Sequence, residues 1–101
     1  MSYVLIEQDL EEEDEPTLIY SQLDDDRREI RRVEFYPNGL SFAYGGERGH
    51  EEALSPEPFP EDLRTLNRPG EVSAHAITAQ VFQAIWNQAQ ELPDGFMGMF
   101  A

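Results

Sequence analysis

Residues 29–45 read Glu29-Ile30-Arg31-Arg32-Val33-Glu34-Phe35-Tyr36-Pro37-Asn38-Gly39-Leu40-Ser41-Phe42-Ala43-Tyr44-Gly45. Two runs rich in β-branched and aromatic residues flank Pro37-Asn38-Gly39, and Asn-Gly between such runs signals a β-hairpin. The reading is a strand over Glu29–Tyr36, a turn, and a strand over Leu40–Gly45. With Asn38-Gly39 as a two-residue turn, Phe35 lies opposite Phe42 and Val33 opposite Tyr44. One face then collects Val33, Phe35, Leu40, Phe42 and Tyr44, and a slip of one residue would mix the faces. Pro37 forfeits one ladder bond in that register, so a three-residue Pro-Asn-Gly turn with a bulge stays open.

Upstream of the hairpin, Asp24-Asp25-Asp26-Arg27-Arg28 is a polar turn, since aspartate readily takes turn geometry. It connects back to a strand over Thr17–Leu23. Pro16 opens that strand at a place where a missing N–H is tolerated. Residues 9–15 form an acidic loop, too repulsive to pair, and Ser2–Gln8 is a first strand. Downstream, residues 46–59 are an irregular acidic segment rich in Gly, Glu and Pro. A short helix follows near residues 60–68, opened by Pro60, with Leu63 and Leu66 turned inward. Glu71–Ile77 suits a short extended piece. Thr78 caps a helix over Ala79 to about Glu91 with the apolar stripe Val81, Phe82, Ile85, Trp86, Ala89 and Leu92. Residues 93–101 are an apolar tail.

The expected architecture is one α+β domain over residues 1–101. It is a four-stranded antiparallel meander, covered by the C-terminal helix on the face carrying Phe35 and Phe42. A chain of 101 residues supports one modest core and no second domain.

The formal net charge is −14 and cysteine is absent. Disulfides, thiolate metal sites and a cysteine nucleophile are thereby excluded. The acids gather in two patches, Glu7–Glu15 and Glu47–Asp62, and between them residues 24–34 nearly balance. Such a field repels nucleic acid and anionic lipid and attracts a basic protein surface. No run has the apolar length of a membrane span. The N-terminus lacks the basic and hydrophobic regions of a signal peptide, so the expected location is cytoplasmic.

The strand at 29–36 is the most unusual segment. By alternation Glu29 and Arg31 point one way, Arg32 and Glu34 the other. Asp24, Arg27, Glu29, Arg31, Arg32 and Glu34 are the candidate binding residues, because the guanidinium fork suits carboxylate or phosphate. The plainer reading is a solvated sheet face laced with cross-strand ion pairs. Asp24-Asp25-Asp26 lacks the spacing of a calcium loop, and Arg27 and Arg28 compete for its oxygens. His50 and His75 lack zinc-site spacing. Ser41, Ser55 and Ser73 lie in no nucleophile elbow, and Gly45-Gly46 and Gly49 form no phosphate loop. No catalytic residue, metal or cofactor is therefore assigned. Phe96, Met97, Met99 and Phe100 are candidates for a partner or homodimer contact, as methionine suits adaptable surfaces.

Glu15-Pro16, Tyr20-Ser21-Gln22-Leu23-Asp24, Arg27 and Glu29-Ile30-Arg31-Arg32-Val33-Glu34 resemble a family of short uncharacterised bacterial proteins. Ile77-Thr78, Phe82 and Trp86 are similar to that family's C-terminal helix. The chain departs from the family at Gln22, where glutamate is common, and near Arg28, where an apolar residue is. The resemblance implies a shared fold and surface without an assigned activity. Small size, the two acidic patches and the lack of a motif for chemistry make the expected function a non-catalytic acidic module that binds a basic protein, of immunity or regulatory type. The alternative is a small-molecule-binding or enzymatic domain using the Arg/Glu cluster.

Overall fold

Strand β1 (Ser2–Gln8) pairs antiparallel with β2 (Leu18–Leu23), β2 with β3 (Glu29–Phe35), and β3 with β4 (Ser41–Gly45). This computed structural model describes residues 1–9 and 14–91. The expected meander is present, yet the sheet is wider. Strand β5 (Val72–Ala76) adds antiparallel to the free edge of β1, and the two-residue β6 (Gln90–Glu91) lies parallel to β4. The order is β5-β1-β2-β3-β4-β6. An unpaired edge of β1 would leave a row of backbone donors and acceptors open, and β5 satisfies them.

The hairpin takes the three-residue turn. Tyr36 and Leu40 close it through Tyr36 N–H to Leu40 C=O at 2.9 Å, and Gly39 N–H returns to Tyr36 C=O at 3.0 Å. Gly39 has φ +88°, which glycine adopts at no steric cost. Phe35 consequently faces Ser41, and Val33 faces Ala43. The two-residue register is corrected by one position. Phe42 and Tyr44 turn to the same face as Glu34 and Arg32, away from the helix.

Helix α1 (Ala79–Gln88) starts at Thr78, whose side chain accepts a hydrogen bond from Val81 N–H. It ends earlier than expected, because Ala89 is already extended and leads into β6. Phe82 and Trp86 are fully buried and pack with Val33, Ala43 and Ala89. Tyr3, Tyr20, Phe35, Ile77 and Ile85 surround that core. Val81 is exposed, and Leu92 lies outside the described residues. Phe42 was expected beneath the helix; its register position places it on the opposite side.

Between β4 and β5 the chain passes Trp86 at Gly46–Arg48 and then crosses the other face. It carries short 3-10 turns at Gly46–Arg48, Glu51–Ala53 and Leu63–Leu66. The helix expected near residues 60–68 is only the last of these. Asp62 caps it by accepting from Arg64 N–H, and Leu63 and Leu66 are half-buried.

Candidate functional site

The strand at 29–35 does not alternate strictly. Arg31 pairs with Gln22, but Glu29 pairs with Leu23, so Ile30 is an extra residue opposite a single step of β2. This bulge rotates Glu29 to the face of Arg32 and separates it from Arg31, correcting the expectation that Glu29 and Arg31 share a face. Gly45 sits against the bulge with φ +90°, and a Cβ there would collide with the Ile30 carbonyl.

On the face crossed by the β4–β5 connection, whose residues 55–60 form a strap, Glu29, Arg32 and Glu34 form one network. Arg32 Nη2 lies 2.8 Å from Glu29 Oε1, and its Nη1 lies 3.1 Å from Glu34 Oε2. Ser21 Oγ donates to Glu29 Oε2 at 2.6 Å, and Ser55 N–H donates to Glu29 Oε1 at 2.8 Å. Tyr36 OH donates to Glu34 Oε1 at 2.9 Å. The side chains of Glu29, Arg32 and Glu34 are 0%, 19% and 11% exposed. Buried charges need partners of this kind, because desolvation of an unpaired ion costs several kcal/mol. Burial opposes the charge on Arg32, but its hydrogen bonds to Glu29 and Glu34 hold its pKa above the usual value. Burial, then the charge and hydrogen bonding of Glu34, push Tyr44 up to about 12, and Tyr36 is raised by burial and its bond to Glu34.

Arg31 lies on the helix face. Its guanidinium stands 4.7 Å from the Trp86 ring and 5.0 Å from that of Phe82, and its Nε donates to Gln22 Oε1. Arg48 stands 4.6 Å from Trp86 and donates to the Ala89 carbonyl at 2.8 Å, at the helix C-terminus. Glu47 accepts from the Trp86 indole N–H at 3.2 Å. A backbone hydrogen bond and that indole bond lower the Glu47 pKa.

Asp24 and Arg27 have separate tasks in the β2–β3 turn. Asp24 Oδ1 accepts from the N–H groups of Asp26 and Arg28, both at 2.9 Å. Arg27 adopts φ +63° and forks onto the Phe59 and Pro60 carbonyls. The structure therefore brings Glu29, Arg32 and Glu34 together, and places Arg31, Asp24 and Arg27 elsewhere. Phe96, Met97, Met99 and Phe100 lie outside the described residues.

At the opposite end of the sheet lies a cavity of about 420 Å³. Its lining includes Glu7, Asp9 and Glu71 with the apolar residues Leu18 and Val72, and among the described residues no Lys, Arg or His. Sequence reasoning found the acids of the 9–15 loop but not this site, since Glu71 arrives only through the pairing of β5 with β1. Beside it, Ser73 Oγ and His75 Nε2 are 2.6 Å apart, and Glu7 Oε2 is 3.7 Å from the same nitrogen. In a serine relay the acid orients the ring through Nδ1, so this trio is not one. Among the described residues no group of three or more His, Asp or Glu could hold a metal ion. No helix among them is long and apolar enough to cross a membrane.

A mostly antiparallel sheet carrying one helix, with its charges clustered at sheet ends and under a strap, defines an acidic α+β domain. The chain belongs to the family described as a domain of unknown function (DUF6881), which matches residues 2–91. No curated protein and no solved structure matches it.

Proposed function

We propose that this domain is a non-catalytic acidic interaction module that binds a basic protein partner, of immunity or regulatory type. The observation that carries the reading is the cavity of about 420 Å³ with Glu7, Asp9 and Glu71 on its walls and no basic residue among them. A lysine or arginine of a partner would set its charge against those carboxylates. The net charge of −14 supports long-range steering of such a partner. The reading as an enzymatic or small-molecule domain has less support, because Glu29, Arg32 and Glu34 spend their hydrogen bonds on one another and on Ser21, Ser55 and Tyr36.

The test immobilises the full chain beside a Glu7→Gln, Asp9→Asn, Glu71→Gln variant and exposes both to host extract at low and high salt. A basic protein held by the wild type at low salt, released at high salt and not held by the variant is the expected result. A wild type that retains no salt-sensitive protein refutes the reading.

A further inference from the structure

Residues 55–60 read Ser55-Pro56-Glu57-Pro58-Phe59-Pro60, with proline at every second position. Only Ser55, Glu57 and Phe59 have a backbone N–H to place, and each has an acceptor. Ser55 N–H donates to Glu29 Oε1 at 2.8 Å, Glu57 N–H to Ser55 Oγ at 3.3 Å, and Phe59 N–H to the Arg27 carbonyl at 2.8 Å. The carbonyls are gripped as well. Arg28 Nη1 donates to Pro56 C=O at 3.3 Å, and Arg27 Nη2 donates to Pro60 C=O at 2.7 Å while its Nε reaches Phe59 C=O at 3.2 Å. The N–H groups of Ser55 and Phe59 thus fall where Glu29 and the β2–β3 turn offer acceptors, that of Glu57 is taken within the strap by Ser55 Oγ, and the prolines, which have no N–H, fall between them.

Apart from the Ser55 hydroxyl, every one of these bonds uses backbone atoms of the strap. The grip therefore rests on the spacing of the prolines and on backbone groups of the strap, which bends at Pro56 and Glu57. Nor does the strap fill the floor beneath it, since a cavity of about 240 Å³ remains between it and Ile6 and Leu66. Arg27 takes φ +63° within the turn that Asp24 closes, a conformation that non-glycine residues rarely take, and its side chain leaves that turn toward the strap.

We infer that Arg27, Arg28 and Glu29, above a floor of Ile6 and Leu66, form a groove that recognises a segment with alternating prolines. Residues 55–60 fill it in cis, and a like segment of another protein takes the same place when they are displaced. This groove is independent of the carboxylate cavity at the other end of the sheet.

The test loosens the strap by Pro56→Gly with Pro58→Gly, which raises the entropy of the open segment. The probes are capped Ser-Pro-Glu-Pro-Phe-Pro and a capped control of the same residues, Pro-Pro-Pro-Ser-Glu-Phe. The loosened chain binds the first probe at least about tenfold more tightly than the wild type, about 1.4 kcal/mol, and does not bind the control. Adding Arg27→Ala to the loosened chain removes the binding. A loosened chain that keeps its native Trp86 emission yet binds neither probe overturns the inference, as does equal binding of both. A dimer of the loosened chain without probe binding also overturns it, because the groove then serves a second copy. If the loosened chain fails to fold, hydrogen exchange at Ser55 and Phe59 in the wild type decides. Excess first probe, but not the control, accelerates both amides if the groove opens in trans, and unchanged exchange rejects the idea.

Discussion

The carboxylate of Glu29 holds the guanidinium of Arg32 at 2.8 Å on the strap-covered face of the sheet. Arg32 is the cation between two buried acids, because Glu34 bonds its other terminal nitrogen. Arg32→Met therefore strands two carboxylates in a poorly solvated place and is expected to cost about 3–5 kcal/mol. Arg32→Lys keeps the charge but loses the fork and falls between wild type and Arg32→Met. Urea unfolding of the three chains measures the order.

Gly45→Ala should destabilise by about 1–3 kcal/mol for the φ alone, because the backbone there is close to glycine-only. The Ile30 carbonyl occupies the place of the new methyl, which adds to the cost. Gly39→Ala, with φ +88° but no atom near the added Cβ, should cost less. Thermal unfolding of the two variants tests the difference between conformational strain and collision.

Alkaline pH should weaken the fold through its tyrosines. An unfolded tyrosine ionises near 10.0, whereas Tyr44 in the fold is pushed up to about 12 and Tyr36 is raised too. The fold favours the neutral phenols, so both contributions are whole below pH 10.0; that of Tyr44 is lost as the pH rises through about 12, and that of Tyr36 persists further. Phenolate absorbance followed beside circular dichroism should show these two rings ionising only with unfolding. Glu34→Gln should shift their ionisation toward the ordinary value.

On the acid side the Glu47–Trp86 contact sets a different window. The Glu47 pKa is depressed from 4.5, so its contribution is complete above that value and lost as the pH falls through the lower folded one. Trp86 emission should change on that limb, and Glu47→Gln should flatten it. An unaltered limb in the variant would remove Glu47 as the source.

Much of the chain's layout is legible from local chemistry. Runs of β-formers marked the strands, Asp24–Arg28 and Pro37-Asn38-Gly39 marked the turns, and Thr78 with Phe82 and Trp86 marked the helix and its buried side. Those signals act over a few residues, so the chain alone carries them. The extended piece near Val72–Ala76 was legible as well, but not its partner, because pairing with β1 joins residues about seventy apart in the chain.

The face of each side chain was another matter. A period of two fits either hairpin register, and one residue of difference moves Phe42 and Tyr44 from the helix side to the side of Glu34. The three-residue turn at Gly39 and the bulge at Ile30 made those choices, since each depends on backbone bonds that form only when strands meet. The same holds for function. The abundance of acid and the arginines of the strand at 29–35 are properties of the sequence. Tertiary pairing decided that Glu29 and Glu34 neutralise Arg32, that Arg27 grips the proline strap, and that Glu71 joins Glu7 and Asp9 around an open cavity. Charge is written residue by residue, but whether a charge is spent inside the fold or left for a partner depends on which distant residues the sheet brings beside it.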